Sequence, residues 1–162
     1  MAGLKQQYKV AKELEALTEV AQKAVKQLVT SKATLADYQK RIKAQDVEAH
    51  KAILDSCKAT TKEVTKLIDL FLGKEDDRQG IVRNPELTVM TRIGLASRYV
   101  NSRPDGITST EGVLMQHART ATSAALEKVN DFYANQWPMV KKEIESIELS
   151  GFKPVEQFTI KE

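Results

Sequence analysis

The chain has 162 residues, of which 41% are hydrophobic and 29% charged. This composition is typical of one soluble globular domain rather than a disordered or membrane-spanning chain. Seven glycines and four prolines are too few for a β-sandwich or barrel, and a net charge of +3 does not indicate nucleic acid or an anionic membrane as a partner. A few long helices are therefore expected.

The first predicted helix covers residues 4–29. Its apolar residues recur at spacings of three and four, starting with Leu4 and Tyr8 and continuing through Leu14 to Leu28. The apolar stripe is wider than a two-stranded coiled-coil seam. It therefore has the width that a bundle helix needs to contact two neighbours.

The second predicted helix covers residues 34–72, with Ser31 or Thr34 suited to cap its first turn and Gly73 suited to end it. An unbroken helix of this length would measure about 55 Å, against about 38 Å for the first helix. We therefore expect a bend, a break near residues 45–47, or an overhang.

The third predicted helix covers residues 85–102 and follows an exposed loop at residues 73–80. Asn84, Pro85 and Glu86 supply a cap residue, a proline at the first helical position and an acid in the first turn. A Pro-Asp-Gly turn at residues 104–106 ends this helix.

The fourth predicted helix covers residues 108–146. Thr108 and Glu111 have the spacing of a capping box, and Pro138 predicts a kink or a helix restart. One face is predicted to be apolar and to contain Leu114, His117, Ala121, Ala124, Ala125, Val129, Phe132 and Tyr133.

The closing segment, residues 151–162, shows no helical period and is expected to be extended against an apolar surface. The four helices and this tail predict a single all-α domain over residues 1–162, an up-down-up-down four-helix bundle with a long second helix.

The sequence shows none of the common catalytic or metal-binding patterns. The sequence contains no glycine-rich phosphate loop, no His-Glu-x-x-His and no cysteine pair, so no catalytic, cofactor or metal residue is predicted. His117 on an apolar face is interpreted as a core or boundary histidine, and His50 as a surface one. Cys57 lies in the apolar stripe of the second helix and is interpreted as an inert small hydrophobe.

Aromatic and apolar residues near the C-terminus are candidates for contact with a partner. Trp137 either binds a partner or fills the end of the bundle, and these alternatives stay open. The tail carries more apolar surface than a bundle end needs. The predicted partner contacts are therefore Trp137, Phe152, Val155, Phe158 and Ile160.

Three segments resemble the helical C-terminal region of bacterial exported β-propeller proteins with sortilin (VPS10)-like or BNR repeats, often labelled glycosyl hydrolases. They are residues 79–85 (QGIVRNP), residues 103–108 (RPDGIT), and residues 125–132 (ALEKVNDF) with Trp137-Pro138. The resemblance spans residues 4–158. It implies that the chain is excised from a larger periplasmic or extracellular protein and packs against its propeller.

The resemblance carries over no catalytic residue, so the expected function is a non-catalytic structural or interaction domain. A free-standing cytoplasmic sensor or carrier is the alternative, with a small molecule held between helices beside Ala121, Ala124 and Ala125. No cofactor, nucleic acid or membrane span is expected for either function, and the oligomeric state is left open.

Overall fold

The computed structural model describes residues 2–45, 47–74, 87–102 and 106–148. These residues form helices and short connections and contain no strand, so the chain is all-α as predicted. Five α-helices span Ala2–Gln45 (α1), Lys51–Leu72 (α2), Val89–Ser102 (α3), Ser109–Asp131 (α4) and Trp137–Glu145 (α5). A π-helical segment, Phe132–Gln136, connects α4 to α5.

Helix α1 continues through residues 29–34, so the predicted boundary between a helix at 4–29 and another at 34–72 is wrong. Of the two hydroxyls that were expected to cap a new helix, Thr34 instead donates to the Thr30 carbonyl at 3.0 Å inside α1, and Ser31 shares a 2.8 Å hydrogen bond with Tyr133. Buried side chains also continue at seven-residue spacing across this region, at Leu14, Ala21, Leu28, Leu35 and Ile42.

The break between the first two helices lies close to residues 45–47, where it was expected from the difference between the two predicted helix lengths. Helix α1 ends at Gln45 and α2 begins at Lys51, with a turn at residues 47–50. Helix α2 ends at Leu72, and Gly73 follows with a φ of +86° and donates its N–H to the Asp69 carbonyl. The predicted glycine end of this helix is confirmed, because that φ favours a residue without a side chain.

Helix α3 begins at Val89. The predicted start at residue 85 is wrong, because residues 87 and 88 are described and are not helical. Thr88 Oγ1 accepts a hydrogen bond from the Thr91 N–H at 3.2 Å, which makes Thr88 the cap of the first turn. Residues 84–86, which carried the earlier prediction, lie outside the described residues.

Helix α4 begins with the predicted capping box at Thr108 and Glu111. The Glu111 carboxylate accepts the Thr108 backbone N–H at 2.8 Å and also the Thr108 hydroxyl, and its side chain is fully buried. Because the carboxylate is used in the cap, an acidic residue occupies a core-facing position at the start of the helix.

The predicted interruption near Pro138 is a π-helical segment followed by a helix restart. Trp137 N–H bonds to the Phe132 carbonyl, five residues back, and Pro138 lies in the first turn of α5, where its missing N–H is tolerated. The buried positions shift accordingly. Before the segment they are Ala125, Val129 and Phe132; after it they are Val140 and Ile144.

Two polar contacts establish that α1 and α4 run in the same direction. Arg119 Nη2 lies 2.6 Å from the Glu13 carboxylate, and Tyr133 Oη lies 2.8 Å from Ser31 Oγ. Residue numbers therefore rise together along the two helices. The predicted up-down-up-down order is wrong, because it requires the first and the last helix to be antiparallel.

Helices α2 and α3 both run antiparallel to α1 and follow one another along it. Gln39 on α1 contacts Thr61 on α2 at 3.3 Å, whereas Gln7, near the start of α1, donates to the Val100 carbonyl near the end of α3 at 2.9 Å. At 1.5 Å per residue α1 is about 66 Å long, and α2 and α3 are about 33 and 21 Å. The longer α1 therefore packs against both, and the described bundle has three helices in cross-section.

The buried side chains form two adjoining clusters. The larger one includes Leu28, Phe71, Val100 and Met115, and the smaller one contains Leu35, Cys57, Val140 and Ile144. Trp137 packs against both clusters. The bundle core is therefore continuous from the N-terminal half of α1 to α5.

The predicted apolar faces differ from the buried ones at two places. Leu4 and Tyr8 are 64% and 66% exposed. On α4 the buried line starts at Glu111 and continues one residue away from the predicted face, through Met115, Ala118 and Thr122. The predicted stripe was displaced because Glu111 and Thr122 were treated as polar surface residues. Both are buried, and both form hydrogen bonds inside the protein.

Candidate functional site

No three residues of the metal-binding types come together in the part of the chain that the structure describes. His50 precedes α2 and is half-buried, and His117 lies exposed on α4. The interpretation of His117 as a core or boundary residue is wrong, since the buried face of α4 passes through Met115 and Ala118 instead.

Cys57 is a fully buried residue of the smaller core cluster. Burial raises the pKa of its thiol, and the nearby negative charge of Glu143 raises it further. A thiolate, the nucleophilic form of cysteine, is therefore disfavoured at this position. The interpretation of Cys57 as a small hydrophobic core residue is confirmed.

Trp137 lies half-buried at the end of the π-helical segment, among other aromatic rings. Its ring centroid is 6.1 Å from that of Phe132 and 5.9 Å from that of Tyr133, and these two rings are 5.1 Å apart in an edge-to-face arrangement. The half-buried Trp137 side chain therefore packs against other side chains of the bundle. This agrees with one of the two alternatives, that Trp137 fills the end of the bundle.

The hydroxyl of Tyr133 links this aromatic cluster to α1. It shares a 2.8 Å hydrogen bond with Ser31, and burial raises the pKa of the phenol although hydrogen bonds with Ser31 and Gln27 oppose the shift. Ser31 is therefore a buried polar partner in the middle of α1. The sequence alone suggested a helix cap at this residue.

The other predicted partner contacts lie outside the described residues: Phe152, Val155, Phe158 and Ile160. Their predicted extended conformation stays a prediction. The last described residue, Glu148, follows the end of α5 by three positions.

A surface groove of about 420 Å³ lies between α2 and α4 beside the π-helical segment; we call it the α2–α4 groove. Leu67 and Phe132 provide its apolar contacts. Its charged lining consists of three carboxylates and one ammonium group, from Glu63, Glu127, Asp131 and Lys128. The groove lining is therefore net negative, although the whole chain carries a net charge of +3. Only the helical spacing of Glu127 and Asp131 hints at it in the sequence.

A second feature is a set of exposed apolar side chains around the end of the bundle where α1 begins, which we call the apolar end. Each of these residues is more than a third exposed: Leu4, Tyr8, Leu95, Tyr99 and Val113. Val100 bonds to Gln7, and Arg119 to Glu13, so the α3 and α4 members lie level with the first turns of α1. Sequence patterning missed this surface because it assigned Leu4 and Tyr8 to the core.

The alanines that were expected to leave room for a ligand do not face a common interior space. Ala125 is buried in the larger core cluster, Ala121 packs against that cluster, and Ala124 is exposed. Ala124 borders an open depression on the surface of α4 together with Arg119 and Glu127. This geometry does not favour the sensor or carrier hypothesis.

Comparison with known proteins indicates no family and no function for the chain. No protein-family model matches the chain, and the searches of curated proteins and of solved structures gave no match. Among the described helices, none is both long enough and apolar enough to cross a membrane.

Proposed function

We propose that this chain is a non-catalytic structural or interaction domain of a larger exported β-propeller protein. The observation that carries the proposal is the apolar end, where Leu4, Tyr8, Tyr99 and Val113 leave apolar surface on three helices at one end of the bundle. Apolar surface left exposed at one end of a domain supports contact of that end with another domain or protein.

The position of the apolar end suits a domain that precedes the bundle in the chain. Ala2, the first residue of α1, lies at the same end as Leu4 and Tyr8. A propeller joined there would meet these side chains without a long linker. Placement in the periplasm or outside the cell follows from the sequence resemblance and is part of the proposal.

The role of Trp137 and of the tail residues as partner contacts remains a separate prediction. These residues follow α4, whereas the apolar end surrounds the beginning of α1 and α4. A propeller contact at the apolar end therefore requires none of them.

The test is the mass and cellular fraction of the native gene product, identified by peptides that contain residues 125–128. A product several times larger than 18.1 kDa in the exported fraction supports the proposal. A product of 18.1 kDa in the cytoplasm overturns it.

A further inference from the structure

We propose that the surface of the larger protein that contacts the apolar end is acidic, and that lysines and arginines around this end bind its carboxylates. The inference rests on the proposed function, because it names the chemistry of the partner at that same surface. It is argued from the charges of the described residues.

Positive charge is concentrated around the apolar end. The helix segments that surround it are residues 2–15 of α1, 89–102 of α3 and 109–119 of α4. Together they contain six lysines and arginines and three glutamates. Helix α3 has two arginines and no acidic residue. The net charge of these segments equals the +3 of the whole chain, so the charges of the remaining residues balance.

The three glutamates of these segments are already engaged within the domain. Glu13 is paired with Arg119, and Glu15 lies 2.8 Å from the Lys12 ammonium group. The Glu111 carboxylate is buried in the capping box of α4. Among the described residues, the other four cations form no ion pair: Lys5, Lys9, Arg92 and Arg98. They are therefore available to carboxylates of a partner.

On α3 the two arginines flank the apolar side chains. Arg92, Leu95 and Tyr99 are spaced by three and four residues, so they form one line along the helix. Arg98 is exposed and lies one turn after Leu95. A partner that covers Leu95 and Tyr99 therefore comes within reach of both guanidinium groups.

The first turns of α1 repeat this arrangement. Lys5 directly follows Leu4, and Lys9 directly follows Tyr8; all four side chains are exposed. Consecutive helical residues point in directions about 100° apart, so each lysine lies on the flank of its apolar neighbour. The apolar residues thus have cations beside them on both α1 and α3.

An acidic protein surface fits this combination of side chains. Arginine can form two parallel hydrogen bonds to one carboxylate, and opposite charges fix the orientation of a contact. Apolar residues at the centre of a contact with charged residues at its rim are typical of protein interfaces. The sugar-phosphate backbone of a nucleic acid offers no comparable apolar partner for Leu4, Leu95 and Val113.

Arginine modification with phenylglyoxal tests the inference in the native gene product and in the isolated 162-residue chain. Peptide masses measure the reaction of each guanidinium group. We expect Arg92 and Arg98 to react about fivefold or more slowly in the native product, because carboxylates of the partner bind them. Arg41, near the other end of α1, is the internal control and should react equally in both samples.

Hydroxyl-radical labelling of Tyr8 gives a second readout, since it reports whether the apolar end is covered. In the native product, labelling should increase between about 0.1 M and about 1 M NaCl, because the screening length falls from about 10 Å to about 3 Å. Arg98→Glu should increase it at low salt. Lys62→Glu, the same charge reversal on α2, is the matched control and should leave it unchanged. Arg98→Gln replaces Arg98→Glu if helix content shows a disturbed fold.

The outcomes separate this inference from the proposed function. Equal Tyr8 labelling in the native product and the isolated chain at low salt would show that nothing covers the apolar end, and would overturn both. Slow Tyr8 labelling with unchanged reactivity of Arg92 and Arg98, and no effect of salt, would overturn the acidic partner alone. Loss of protection after nuclease treatment would make a nucleic acid the occupant and would also overturn the inference.

Discussion

At the residue scale, hydroxyl side chains cap the start of two helices and bond inside a third. Thr108 caps α4 together with Glu111, and Thr88 caps α3. Thr30 and Thr34 instead donate to carbonyls one turn back inside α1. The Thr108 cap was predictable because the glutamate three positions later marks it. A lone hydroxyl bonds well in either setting, so the continuity of α1 was not predictable from these residues.

The capping box predicts a specific loss of stability. Thr108→Ala removes the cap side chain and should lower the free energy of unfolding by about 1 kcal/mol. Thr110→Ala, an exposed position in the same turn, is the matched control and should change it by less than about 0.5 kcal/mol. Denaturant unfolding of both variants measures the difference, and equal effects would show that the cap contributes nothing.

The ion pair between α1 and α4 predicts a pH dependence. The hydrogen bond from Arg119 lowers the pKa of Glu13 below its ordinary value of 4.5. Its contribution to stability is therefore fully present above pH 4.5 and is lost as the pH falls through the lowered pKa. Because both side chains are partly exposed, the contribution should stay below about 1 kcal/mol.

Glu13→Gln tests this assignment. The variant should be less stable than the original chain at pH 7, and the difference should shrink as the pH is lowered below 4.5. Unfolding free energies measured across this range give the answer. A difference that is constant with pH would contradict the role of the Glu13 carboxylate.

At the element scale, the π-helical segment adjusts the register between α4 and α5. Regular helical spacing from Phe132 would bury Gln136 and Met139, but both are exposed, and Val140 and Ile144 are buried instead. One additional residue in the helix accounts for this shift. Pro138 made an irregularity predictable, whereas its π-helical form depends on which residues the neighbouring helices bury.

Deletion of Ala134 tests the register explanation. Without this residue, Phe132, Val140 and Ile144 have regular α-helical spacing, but Pro138 then lies inside a continuous helix, which costs about 3 kcal/mol. We expect the deletion alone to be strongly destabilising and the deletion combined with Pro138→Ala to recover most of the loss. Thermal and denaturant unfolding measure both, and no recovery in the double variant would contradict the explanation.

At the scale of the whole molecule, the length of α1 determines the arrangement. Composition and apolar spacing were sufficient to predict an all-α bundle and most helix ends. The predicted order of the helices was wrong, because the prediction divided residues 2–45 between two helices where the structure has one. The α2–α4 groove and the apolar end were missed for a related reason: each combines residues from helices whose neighbours were not known from the sequence.

The core assignment predicts a contrast between two leucines of α1. Leu28 is fully buried in the larger cluster, and Leu28→Ala should lower the free energy of unfolding by about 2–5 kcal/mol. Leu4→Ala at the apolar end should change it by less than about 0.5 kcal/mol. Comparable losses for both would place Leu4 in the core and remove it from the proposed contact surface.

The most direct test of the central proposal is hydroxyl-radical footprinting of the native gene product beside the isolated 162-residue chain. We predict that Tyr8 and Tyr99, at the apolar end, react far more slowly in the native product, because the larger protein covers them. Tyr38, a half-buried tyrosine near the other end of α1, is the internal control and should react equally in both samples. Equal reactivity of Tyr8 and Tyr99 in the two samples would contradict the account.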